Sequence, residues 1–174
     1  MIVETFASGS SVACTSNATD TSFPTRSATK TRPSGTGVYD VSSNGNITCN
    51  ALRVQFFGTD TADQTFKCRI LGWNKIPATA STADLYVPCV LCEVTCTLST
   101  FAGVAGTAIN ASQLIVDTIT LATGFNDDVD VSITSPTGNI PAHLIVDTKG
   151  CELVEFIFDR NSSAASANAI VGRL

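Results

Sequence analysis

Beyond residue 50, apolar side chains fall at every second position, in short runs that turn residues interrupt. "ALRVQFF" sets Leu52, Val54 and Phe56 on one face and Arg53 and Gln55 on the other. "TFKCRILGW" sets Phe66, Cys68 and Ile70 against Lys67 and Arg69. "VDVSIT" turns Val129, Val131 and Ile133 one way, and "IPAHLIVD" does the same with Ile140, Ala142, Leu144 and Val146. "ELVEFIFD" repeats the pattern with Val154, Phe156 and Phe158, and "NAIVGRL" reads as a last strand. A period of two is the period of a pleated strand, and a helix cannot place such a set on one face. Between the runs stand "GTDTADQ", "SPTGN" and "TKG", rich in residues that favour turns. The first of these predicts a hairpin between the "ALRVQFF" and "TFKCRILGW" strands. One segment, "NASQLIVD", has some helical character, but Val116, Thr118 and Ile119 favour strand.

Strands recurring at this spacing predict an all-β chain: a β-sandwich or jelly-roll-like domain of about eight strands, spanning residues 38–174. The chain has 174 residues, enough for one sizeable core without disulfides. Charged residues make up only 14 %, and Ser and Thr supply the remaining polarity. Net charge is −5, which argues against a general nucleic-acid binder. No apolar run has the length to cross a bilayer as a helix, and "MIVETFASGSS" lacks the basic and apolar regions of an export signal. Synthesis in a cytoplasm is the expectation. Four sequons, at Asn17, Asn46, Asn110 and Asn161, match what so Ser/Thr-rich a chain produces by chance.

Residues 1–37 differ from the rest. "ASGSSVACTSNATDTSFPTRSATKTRPSGTG" shows no apolar period and is dominated by Ser, Thr, Gly and Pro. It carries Glu4 and Asp20 against Arg26, Lys30 and Arg32, net +1, while the remainder is net −6. Such a segment buries too little apolar surface to offset its ordering entropy. It is expected to be an extended or disordered N-terminal arm. One role for it is strand addition to a partner, with Arg26, Lys30 and Arg32 as the partner-binding charges.

The seven cysteines are Cys14, Cys49, Cys68, Cys89, Cys92, Cys96 and Cys151. Three of them crowd into "PCVLCEVTC". Cys89 and Cys92 have the spacing of a zinc knuckle, but no second pair follows. An odd count without an export signal does not describe a disulfide framework. On a strand, Cys92, Val94, Cys96 and Leu98 share a face, and Cys89 has the opposite parity, so a shared metal would need a bulge. Core packing of small sulfur-bearing side chains is the expected role.

Other chemistry-bearing residues each have a plain structural reading beside them. His143 is the sole histidine, and no Gly-x-Ser-x-Gly elbow accompanies it. Asp127, Asp128 and Asp130, with Asn126, form the candidate metal cluster, yet the EF-hand offsets are absent and a solvated acidic turn explains them. Glu152 and Glu155 have opposite parity and do not face each other as a glycosidase pair would. Trp73, Tyr39 and Tyr86 are the aromatics available to a sugar platform. No catalytic residue and no cofactor is expected, and the chain is not read as an enzyme.

The stretch "RVQFFGTDTADQTFKCRILGWNKI" and, after a long apolar strand, "AHLIVDTKGCELVEFIFDRNSSAASANAIVGRL" resemble small β-rich structural proteins of tailed bacteriophages, in particular capsid decoration or cement proteins. The resemblance covers about residues 50–174. It implies a domain bound to the outside of a capsid, often as a trimer, that staples neighbouring major capsid protein subunits. The N-terminal arm would join a strand of the shell. Location on the capsid surface of a virion, after synthesis in a host cytoplasm, follows from the same likeness. Two other functions fit the residues: a carbohydrate-binding module of a phage fibre or spike, using Trp73 and the loop at 127–130, and a small hydrolase using His143.

Overall fold

The computed structural model describes residues 11–13, 26–35, 37–41, 50–59, 65–99, 114–125, 131–134, 142–160 and 166–174. Among them every regular element is a strand. In chain order these are β1 (Ser11–Ala13), β2 (Val38–Asp40), β3 (Ala51–Thr59), β4 (Thr65–Ile76) and β5 (Leu85–Ser99). There follow β6 (Leu114–Leu121), β7 (Val131–Thr134), β8 (His143–Asp147), β9 (Leu153–Arg160) and β10 (Ser166–Arg173). The expected count of about eight rises to ten because the N-terminal region contributes two three-residue strands.

All the ladders are antiparallel, in the order β1-β10-β3-β6-β5-β4-β9-β2, with β8 also on β3 and β7 on β8. The run β3-β6-β5-β4 is a Greek key: β4, β5 and β6 meander, and β3 lies beside β6. The ladder folds back on itself. β3 and β4 are separated by two strands along the ladder, yet the Phe56 and Phe66 rings meet edge-on with centroids 6.0 Å apart. Phe158 of β9 completes the group, 6.2 Å from Phe56 and 5.8 Å from Phe66. These rings bridge the two layers of a β-sandwich, in the edge-to-face geometry that aromatic quadrupoles favour.

The alternation read from sequence selects this core. Leu52, Val54, Phe56, Phe66, Cys68, Ile70, Ala142, Leu144, Val146, Val154, Phe156 and Phe158 are all buried in one cluster. Val131 joins them and Ile133 packs against them. Val129 and Ile140 lie outside the described residues. "NASQLIVD" resolves as strand where described, within β6.

The hairpin expected between β3 and β4 does not form. β3 ladders with β10, β6 and β8, while β4 ladders with β5 and β9. Alternation dictates which side chains seek the core but not which backbone lies alongside. Here the two apolar faces meet across the core instead of side by side.

β9 is buried on both faces. Val154, Phe156 and Phe158 point into the sandwich, and Leu153, Glu155, Ile157 and Asp159 on the opposite face are buried too. β5 is irregular. Its register against β4 slips between Ile70 and Leu71, leaving Leu91 as the extra residue. The bulge buries Leu91 and Cys92 consecutively. β6 pairs with β5 only from Val94 onward, so among the described residues the earlier half of β5 has an edge open but for one bridge, Thr29 to Tyr86. Pro88, which has no N–H to give, sits in that half, where an edge tolerates it.

Candidate functional site

The residues with most to say about function are those of the N-terminal region, because they meet the body at three sheet edges. β1 adds to β10, pairing Ser11 with Ile170, Val12 with Ala169 and Ala13 with Asn168. Thr29 exchanges both backbone hydrogen bonds with Tyr86 on the open half of β5, at 2.9 and 2.7 Å. β2 adds to β9, pairing Val38 with Glu155, Tyr39 with Val154 and Asp40 with Leu153. β1 and β2 thus stand at the two ends of the ladder. Unpaired edges invite association, and covering them is how sheets avoid it.

Side chains fasten this strap. Glu155, on the outward face of β9 and only 7 % exposed, is the hub. Arg26 donates from Nε to Glu155 Oε1 at 3.0 Å, with Nη2 2.9 Å from the same oxygen. Trp73 donates from Nε1 to Glu155 Oε2 at 3.0 Å. A buried carboxylate needs such partners, and both of its oxygens have them. Trp73, Tyr86 and Leu153 form a small apolar cluster with Val38 alongside. Further along, Arg32 Nη2 donates to Asp40 Oδ2 at 2.7 Å. From the other terminus, Arg173 donates to Tyr39 Oη at 3.0 Å and to the Asp40 carbonyl at 2.9 Å, and lies over the Tyr39 ring. Gly35 and Gly37 take φ near +100° and +93°, letting the chain turn into β2.

The arm charges predicted to bind a partner therefore have these positions: Arg26 on Glu155, Arg32 on Asp40, and Lys30 exposed to solvent. The candidate metal residues Asp127, Asp128 and Asp130 lie outside the described residues. Among the described residues no cluster of three or more His, Cys, Asp or Glu has the disposition of a metal site. The aromatics proposed for a sugar platform are not on the surface: Trp73, Tyr39 and Tyr86 are 3, 8 and 5 % exposed. A ring that stacks on a sugar needs an open face, and here each face is spent on packing or a hydrogen bond. His143 is half-buried on β8, opposite Thr134.

The cysteines divide. Cys68, Cys92 and Cys96 are fully buried in the main core. Burial, reinforced by the nearby Cys92, pushes the Cys96 thiol well above its ordinary range, so it packs as a neutral apolar group. Cys89 departs from the core. It is exposed, and its Sγ lies 3.8 Å from Sγ of the buried Cys151. Spacing of the cysteines within "PCVLCEVTC" gave no sign of a partner 62 residues away.

Among the described residues, the exposed large apolar side chains are Ile76, Val90, Ile170 and Leu174. Ile170 belongs to β10, next to β1, and Leu174 follows the same strand. Val90 stands on the open half of β5. No helix among the described residues is long and apolar enough to cross a membrane. No family model matches the sequence, and no curated protein or solved structure matches it either.

Proposed function

We propose that this chain is a structural protein of a virus particle: a decoration protein that binds the outer face of a capsid and holds neighbouring major capsid protein subunits together, itself as a homo-oligomer, with three copies favoured. The observation that carries the reading is the behaviour of the N-terminal region, which meets the body by adding backbone to sheet edges at β10, β5 and β9. A segment built this way has the chemistry to add to a neighbour's edge as well, since edge pairing uses main-chain groups that every chain carries. Among the described residues β1 meets β10 over three pairs, and the reading has a shell protein add to the same strand beyond them. Ile170 on β10 and Leu174 just past its end would supply apolar contact there.

The low charge of the body suits lateral packing against other protein surfaces. Weak contacts, repeated by the symmetry of a shell, hold tightly through avidity. The test is to add the full chain to shells that lack it, measuring occupancy by electron microscopy and rupture by heating. The reading predicts density at a fixed lattice position and a higher rupture temperature. Absence of binding at micromolar concentrations, or binding that leaves rupture unchanged, rejects it.

A further inference from the structure

Cys89 stands opposite Gly72 in the β4–β5 ladder, and Cys151 reaches the same spot from the turn ahead of β9. The turn fixes that approach. Cys151 N donates to the Thr148 carbonyl at 2.9 Å, and Lys149 and Gly150 between them have φ of 52° and 73°. Two positive φ angles in succession make a type I′ turn. Asp147 Oδ1 accepts from Lys149 N at 2.7 Å and holds the strained position.

Gly72 is what lets the two sulfurs meet. A Cβ at this position would stand 2.3 Å from Cys151 Sγ. With only a hydrogen there, Cys151 Sγ lies against the β4 backbone, 3.8 Å from Cys89 Sγ. Cys89 is open to solvent, Cys151 is not. An exposed thiol touching a buried one has the order of events built in: a reagent reaches the first, and the second resolves it.

We propose that Cys89 and Cys151 are a disulfide site that closes when the protein meets a low-molecular-weight disulfide, stapling β5 to the turn before β9. The Cys89 thiolate attacks the reagent's S–S bond and expels one thiolate, leaving a mixed disulfide on Cys89. Cys151 then loses its proton to solvent, and its sulfur attacks Cys89 Sγ and expels the second reagent thiolate. Two protein thiols are oxidised by two electrons, and one reagent disulfide is reduced to two thiols. The sulfurs must close from 3.8 Å to a bond of about 2.05 Å. Such a pair stays open in a reducing compartment and closes on leaving it. The inference does not depend on the capsid reading.

The experiment incubates the full chain with oxidised glutathione at mildly alkaline pH, followed by intact mass and non-reduced peptide mapping. The expected product has lost two hydrogens, with the Cys89 peptide joined to the Cys151 peptide. Its Tm rises by roughly 9–17 °C, as closing a loop of this length entails. In Cys151→Ser the reaction stops at a glutathione adduct on Cys89. In Cys89→Ser, Cys151 stays reduced. A wild-type chain that stops at the Cys89 adduct, that joins either cysteine to another residue instead, or that remains fully reduced overturns the proposal.

Discussion

Removing Arg26 leaves the Glu155 carboxylate buried with Trp73 as its remaining side-chain donor. Breaking a buried ion pair from one side costs about 3–5 kcal/mol when both partners are desolvated. The Glu155 side chain is 9 % exposed but that of Arg26 is 32 %, so water partly replaces the lost cation. Discounting for that exposure puts Arg26→Met at about 2–3 kcal/mol. Glu155→Leu carries a similar cost, because it leaves the Arg26 and Trp73 donors without their acceptor. The double variant Arg26→Met with Glu155→Leu costs less than the two separate losses combined, since no charge then remains buried alone. Urea unfolding supplies the numbers, with an unchanged m-value confirming that the same transition is compared. A double-mutant cycle built on these changes should return a coupling of about 1.5 kcal/mol or more. Trypsin gives a second readout, because Lys30 lies in the strap and the Arg32–Pro33 bond resists cleavage. Loosening the clamp by 2–3 kcal/mol raises the open population roughly 30- to 150-fold, and cleavage after Lys30 should accelerate accordingly. Additive single costs, with unchanged cleavage at Lys30, would refute the claim that Arg26 and Glu155 fasten the strap.

The other expectations concern the core and the thiols. Phe158→Ala removes a ring that touches both Phe56 and Phe66, and should lower stability by about 3–5 kcal/mol in urea titration. Gly72→Ala drives a methyl into Cys151 Sγ, so it should destabilise by about 1–3 kcal/mol, and a second change, Cys151→Ala, should recover most of that loss. Equal stability of Gly72→Ala with and without Cys151 would show that the contact does not matter. Burial first, and Cys89 second, push the Cys151 thiol from its ordinary value near 9 up to about 12. A folded pKa above the unfolded one stabilises fully below pH 9 and loses that contribution as pH rises through 12. The urea midpoint should therefore fall between about pH 8 and pH 10.5, and fall less in Cys151→Ala.

Much of the sandwich was legible because burial on one face imposes a period that no other structure needs. Leu52, Val54 and Phe56, or Val154, Phe156 and Phe158, could be assigned to a common side before any partner strand was known. Pairing was not legible, since the β3 and β4 faces are equally satisfied side by side or face to face. The second buried face of β9 did leave a trace. "LVEFIF" is almost continuously apolar, as strands covered on both sides are, and Glu155 is its one charge. That pattern marks a carboxylate that will need a partner, but it cannot name Arg26, 129 residues earlier. Composition said nothing of what the strap would touch. A Ser/Thr-rich segment has too few apolar groups to fold by itself, yet residues 26–35 need only the edges, the ion pairs and the hydrogen bonds the body offers. The same limit hid Cys89 and Cys151, whose meeting depends on a bulge, a type I′ turn and the bare backbone of Gly72.

Ser11–Ala13, Thr29 and Val38–Asp40 lie against edges of their own sandwich. Native-state hydrogen exchange on the full chain, read amide by amide, tests this most directly. Thr29 and Tyr86 donate to each other's carbonyls, so their amides should be protected together and should both lose protection in Arg26→Met. Thr29 exchanging at the rate of an unstructured peptide, while β4 and β9 remain protected, would contradict it.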